Sequence, residues 1–240
     1  MNEIPLGYLL YPLVPALLAG VLYVRWTGEG RTPWVAIGRM LTQLLLVGYV
    51  LAYLFAAGHP GVVFGVLLLM AAAAGWIGLR TALHRRRALY PFALASILLG
   101  AGSALFVAVL LVLRPEPWYK PAVWIPLGGM AFSNAMNAIS LAAERLFSEL
   151  ERGQGFVPAR AAAYRAALIP ATNALFAVGL VSIPGLMTGQ ILAGVSPLVA
   201  ARYQILVMLM VYSAAGLSAA LFLLSARGRG CLGREDRSPV

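Results

Sequence analysis

Seven apolar stretches divide this chain of 240 residues. Each reaches about the 20 residues that an α-helix needs to cross hydrocarbon. They run from Ile4 to Val24, from about Trp34 to Ala57, from Gly61 to Leu79, from Ala88 to Leu113, from near Pro121 through Met130 to Leu141, from near Ala166 onward, and from Val199 to Ser225. Hydrocarbon offers backbone amides no partners, so a run of this kind satisfies its own hydrogen bonds as a helix. The balance of residues agrees: 61% are hydrophobic and 11% charged, with a mean hydropathy of +0.85, against about 25% charged in a soluble domain. The expected fold is all-α and polytopic, with about seven transmembrane helices. Residues 1–226 form one transmembrane domain, and residues 227–240 form a polar, disordered cytoplasmic tail.

The arginines orient this array. Lys120 is the one lysine, and every other basic residue is arginine, in segments between apolar runs. With the N-terminus outside, Arg25, Arg31, Arg80, Arg85, Arg86, Arg87, Arg145, Arg152, Arg160, Arg165 and the tail arginines fall inside, while Arg114, Lys120 and Arg202 fall outside. The reverse orientation opposes the positive-inside bias. The C-terminus is then inside, and Trp118, Tyr119 and Trp124 lie at the outer interface. The net charge of +10 faces the anionic inner leaflet of a cell (inner or plasma) membrane rather than nucleic acid. A single cysteine, Cys231, excludes an internal disulfide and a cysteine metal cluster. No small-residue cleavage pattern follows the first run, which reads as a retained span.

Some residues do not belong in lipid. Arg39 and Gln43, four apart in GRMLTQLLLVGY, share a helix face; Arg39 either snorkels to headgroups or braces another helix, and Gln43 lies a turn deeper. In GMAFSNAMNAISLAAER, Met130, Asn134, Asn137, Leu141 and Glu144 form one stripe, with Ser133, Met136 and Ser140 beside it. Mid-membrane asparagines are costly unless satisfied. They serve either as glue between helices or as the lining of a polar path. Met130 and Met136 are weak candidates for a soft-metal ligand set, and no metal site is assigned. LVSIPGLMTGQILAG, Leu180 to Gly194, carries helix breakers. Pro184 with Gly185 should open the sixth helix as a hinge, or the helix ends near Ser182 before a re-entrant loop. Open backbone is tolerated only where it is buried in protein or lines a cavity. Asn173, Ser182, Thr188 and Gln190 would point their polar groups there.

Several chemistries are excluded. No GxxxxGK[ST] occurs, so the chain has no P-loop of its own. His59 and His84 sit in turns and form no HExxH site. Carboxylates are absent from mid-span, which argues against an aspartyl intramembrane protease and a proton relay. The chain reads as no enzyme. The segment from Glu144 to Arg165 is the longest inward one, amphipathic around Phe147 and Leu150. It is either a membrane-surface helix or a docking element for a cytosolic partner.

RMLTQLLLVGYVL (Arg39 to Leu51), GMAFSNAMNAISLAAERL (Gly129 to Leu146) and RAALIPATNALFAVGLVSIPGLMTGQILAGVSPLVAARYQILVM (Arg165 to Met208) resemble the FetB-like, iron-export-type family of ABC-transporter permeases, which includes plant relatives linked to aluminium tolerance. The resemblance implies a permease that pairs with a separate P-loop ATPase, works as a homodimer and moves a metal cation such as iron. This chain then binds no cofactor, and ATP and Mg belong to the partner. Asn134, Asn137, Ser140, Asn173, Ser182, Thr188 and Gln190 would line the path. Family members carry a longer cytoplasmic segment, with an LGAT-like turn that meets the ATPase. Here the region is only LFSELERGQGFVPARAAAY, with Phe156, Val157 and Pro158 as the remaining contact. Two rivals stand beside this: a stand-alone carrier or channel, and a membrane scaffold or sensor subunit.

Overall fold

A computed structural model describes residues 6–56 and 59–226; the expected tail at 227–240 lies outside the described residues. They divide into two compact units, one within Met1–Ala57 and one within Gly58–Val240.

The first unit is a helical hairpin. A turn of 3-10 helix, Leu6–Leu9, leads into α1, Leu10–Thr27, and α2 spans Thr32–Ala56. The reversal is tied by polar side chains gathered where the two helices meet. Tyr23 Oη donates to Glu29 Oε2 at 2.8 Å, Thr32 Oγ1 donates to the same oxygen at 3.0 Å, and Thr27 Oγ1 accepts from the Glu29 amide at 3.2 Å. Just inside, Trp34 covers Gly20, where a Cβ would lie 3.0 Å from the indole. Most other apolar residues of α1 are exposed.

The second unit is a bundle. It contains α3, Pro60–Gly78; a 3-10 segment, Leu79–Arg85; α4, Arg86–Leu113; α5, Pro121–Glu151; α6, Phe156–Ala177; a short α7, Gly185–Leu192; and α8, Pro197–Ala226. His59 caps α3, its Nδ1 accepting from the Gly61 amide at 3.2 Å. Two stretches of π-helix, Ile97–Ala101 and Val107–Leu113, widen α4. α5 is central: α3, α6 and α8 pack on it, while α4 and α6 also pack on α8. Small residues make this possible. Ala131, Ala135, Ala138 and Ala142 form the buried stripe of α5, and Ala214, Ala215 and Ala219 that of α8. Without a hydrophobic drive between helices in lipid, close van der Waals approach holds such a bundle. Among the described residues backbone approaches backbone most closely at Gly100, where a Cβ would fall 2.5 Å from the Ser218 amide nitrogen.

The protein is a helical, polytopic membrane protein. Among the described residues, α1, α3, α4 and α8 are long and apolar enough to cross a membrane by length and composition. One boundary differs from expectation. The sixth helix starts at Phe156, not near Ala166, and the long loop expected from Glu144 to Arg165 shrinks to a turn at residues 152–155. The sequence ARAAAYRAA is rich in alanine, the strongest helix former. Ala159, Ala163 and Ala167 recur every fourth residue and are buried, so the intervening arginines ride on the outer side. Gly153, at φ +80°, supplies the left-handed residue that ends α5.

Candidate functional site

The outward face of α5 carries the asparagines. Its alanine stripe faces the bundle, so the stripe around the helix from it is left to Ser133, Asn134, Asn137 and Ser140. Asn137 and Ser133 are exposed, Asn134 and Ser140 half-buried. Asn134 Nδ2 donates to the Met130 carbonyl at 2.9 Å and Ser133 Oγ donates to the same oxygen at 3.2 Å. Both bonds stay within α5. The Asn137 side chain has no hydrogen bond among the described residues. A bond from the neighbouring 3-10 segment to this stripe is backbone-directed: Thr81 Oγ1 donates to the Ser140 carbonyl at 3.1 Å. Met130 and Met136 are half-buried. Six residues apart, they project roughly 120° from each other around the helix and about 9 Å apart along it, so they do not form one ligand pair. No group of three or more His, Cys, Asp or Glu able to hold a metal occurs among the described residues.

The backbone opens between α6 and α8. α6 closes at Ala177, ahead of both Ser182 and Pro184. The amides of Leu180, Val181 and Ser182 all donate to the Ala177 carbonyl, at 3.3, 2.8 and 3.1 Å, and Gly179, at φ +84°, donates to the Ser182 carbonyl at 2.9 Å. Pro184 is therefore not a kink within a helix but the residue that starts α7, whose first turn Gly185 enters. Proline at such a start loses nothing, because the amide it lacks would be unpaired there. α7 ends at Leu192, and Gly194, at φ +90°, turns the chain into α8. Asn173, Ser182 and Thr188 are exposed, Thr188 Oγ1 donating to the Pro184 carbonyl at 3.2 Å. Gln190 is half-buried and its Oε1 is buried without a partner.

The asparagines of α5 do not line the cavity at the interruption. α7 packs on α8. A cavity of about 400 Å³ at the interruption is lined by Leu175, Val178, Ile183, Pro184 and Met187 from one side and by Gln204 and its neighbours on α8 from the other. Gln204 was not among the residues singled out from the sequence. It is buried, 6% exposed, and its Oε1 has no partner. A glutamine inside the apolar run after Arg202 was the available signal, hidden because the run as a whole is so apolar.

Arg39 and Gln43 are exposed on α2 of the first unit. At the α5–α6 turn, Phe156 is buried, whereas Val157 is 58% exposed and Pro158 is exposed. Behind them Glu149, 4% exposed, pairs with Arg145 and lies 3.7 Å from Arg152. Arg160 stands 6.0 Å over the Phe156 ring. The turn is thus fixed from inside by Phe156 and Glu149 and presents Val157 and Pro158 outward.

Comparison with known proteins places this architecture. The chain is 36% identical over 211 residues to a UPF0014 membrane protein of Synechocystis sp., covering 80% of this chain and 81% of that protein. It is 36% identical over 198 residues to the probable iron export permease protein FetB of Escherichia coli, covering 76% and 75%. It is 32% identical over 198 residues to the protein ALUMINUM SENSITIVE 3 of Arabidopsis thaliana, covering 76% and 71%. No solved structure matches. The profile described as "Uncharacterised protein family (UPF0014)" matches residues 8–229, and the chain belongs to that family.

Proposed function

We propose that the protein is the permease subunit of an ABC transporter and exports a metal cation such as iron with a separate ATPase. The observation that carries this reading is the likeness to the probable iron export permease over three quarters of both chains. The absence of a P-loop fits a subunit whose motor is another chain. In this reading the chain crosses the inner or plasma membrane seven times, N-terminus outside, and acts as a homodimer. The outward stripe of Asn134, Asn137 and Ser140 faces the path. Asn173, Ser182, Thr188 and Gln190 line its far end, where α6 and α7 are discontinuous. Discontinuous helices offer unpaired backbone groups to a passing ion without requiring a charged side chain. Pro184 and Gly185 then serve as the pivot of α7. Val157 and Pro158 present the contact for the ATPase, with Phe156 anchoring them.

The test is reconstitution in liposomes loaded with ferrous iron, with and without a small P-loop ATPase from the same organism. ATP-dependent iron movement that needs both proteins is the expected result. Movement without the ATPase would make the chain a stand-alone carrier. No movement under either condition, with an intact complex, would leave a scaffold. Val157→Asp with Pro158→Asp should release the ATPase on co-purification while this chain stays folded.

A further inference from the structure

The cavity at the interruption does not suit a bare metal ion. Its volume of about 400 Å³ is in the range of sites for organic molecules, which combine apolar walls with a few fixed polar groups. No charged side chain lines it. Its polar feature is Gln204, whose buried Oε1 has no donor. Such an acceptor is costly to leave unmet.

Neighbouring acceptors reinforce the demand. The helical amide partner of the Leu175 carbonyl is Gly179, which donates instead to Ser182; that of Phe176 is Leu180, which donates to Ala177. Neither carbonyl receives its helical amide. Leu175 lines the cavity, so the negative pole of α6 ends at its wall. The site therefore calls for a hydrogen-bond donor, best a cationic one.

The remaining walls say where that donor comes from. Ile183, Ile205 and Leu209 line the cavity and are also 65%, 61% and 58% exposed, so the mouth opens on an apolar outer surface. A second cavity of about 370 Å³ lies between α4 and α8, lined by Ser103 and Val107 on one side and by Leu209, Met210, Ser213 and Leu217 on the other, and shares Leu209 with the first. From Gln204 to Leu217 along α8 is roughly 20 Å, enough to follow one leaflet of a hydrocarbon core about 30 Å thick. α8 itself, with 30 residues, is about 45 Å long, which leaves length for its first two turns to reach headgroup depth. Gln204 sits at the end of those turns.

We propose that this groove holds one phospholipid with a primary-ammonium headgroup, of the phosphatidylethanolamine type. Its ammonium donates to Gln204 Oε1 at the end of α6, and one acyl chain runs along Ile205, Leu209 and Ser213 to Leu217. The bound lipid braces α7 against α8 through Ile183 and Met187. The proposal rests on the membrane character of the chain and not on its cargo.

The test uses the full chain, purified in detergent and titrated with phosphatidylethanolamine or phosphatidylcholine of identical acyl chains, with bound lipid counted by native mass spectrometry. Phosphatidylcholine fills the groove equally but its quaternary ammonium has no N–H. The wild type should bind one phosphatidylethanolamine roughly ten-fold more tightly than phosphatidylcholine, the worth of one buried hydrogen bond. Gln204→Leu should bind both alike, and Gln204→Met repeats the experiment if that variant does not fold. Leu209→Trp, which plugs the shared wall, should lose both lipids. Equal affinities in the wild type, a preference that survives in Gln204→Leu, or a groove that retains no lipid because a second copy or another protein segment covers it would each overturn the proposal.

Discussion

The seams of α3 with α5 and of α4 with α8, and the interruption between α6 and α8, are built from similar apolar stock, yet they use glycine and polar atoms in opposite ways. In the seams Gly100 and Gly78 are where backbones meet: a Cβ at either would sit 2.5 Å from the Ser218 nitrogen or 3.0 Å from the Met136 carbonyl oxygen. In the interruption Gly179, Gly185, Gly189 and Gly194 have nothing within 4 Å of where a Cβ would be. There two of the glycines, Gly179 and Gly194, serve backbone direction through positive φ. The seams are over-determined by contact. The interruption is held by a few backbone hydrogen bonds and leaves Leu180 and Val181 92% and 84% exposed. Regions that move in function are drawn from the weakly held end of a structure, so the contrast says where this bundle can yield.

The sharpest way to break that contrast is to crowd the seam of α4 with α8. Gly100→Val should cost about 3 kcal/mol, the upper end for overpacking, since the clash is with backbone and no rotamer relieves it. Loss of the monodisperse peak on size exclusion in detergent, or a fall in Tm of many degrees, is the expected outcome. A Gly100→Val chain as stable as wild type would mean that α4 and α8 do not meet as described. Next in size is the α5–α6 turn. Glu149 is buried between two arginines that remain partly exposed. Glu149→Gln leaves those arginines to water, so it should cost about 1 kcal/mol rather than the larger penalty of a stranded buried charge. It should also weaken co-purification of the proposed ATPase partner, because the turn that presents Val157 and Pro158 loosens. In the interruption Gly179→Ala meets open space and pays only for φ +84°, about 1 kcal/mol. Thermal unfolding in detergent should resolve it from Gly185→Ala, which should be close to neutral.

Much of this was legible in the sequence because lipid leaves few options. Apolar runs of helical length, the breakers around Pro184 and the polar stripe through Asn134 and Asn137 were all visible as departures from hydrocarbon chemistry. The start of α6 was not. Arg160 and Arg165 read as loop residues, and only the packing of Ala159, Ala163 and Ala167 reveals them as the outer side of a helix. Pairing was equally hidden. Helices that are apolar all round do not announce which face meets which neighbour, so Gly100 against Ser218 follows only from the fold. Gln204 shares that cause: a polar residue in an apolar run is informative only once its surroundings fail to satisfy it.

Asn137 offers the smallest expected effect on stability and the most discriminating one. Its side chain is exposed on α5 and has no hydrogen bond among the described residues, so Asn137→Leu removes a polar group without stranding a partner. In an apolar surrounding that exchange should be neutral or slightly stabilising, within about 0.5 kcal/mol. Were Asn137 glue to another helix, its removal would cost about 0.6 kcal/mol or more per bond in a membrane and would lower the yield of assembled protein. Were it part of a path, assembly would hold and transport in liposomes would fall. The same substitution therefore separates the two uses of a polar residue in lipid: Tm reads one, ATP-dependent flux reads the other, and an Asn137→Leu chain unchanged in both would remove the stripe from either account.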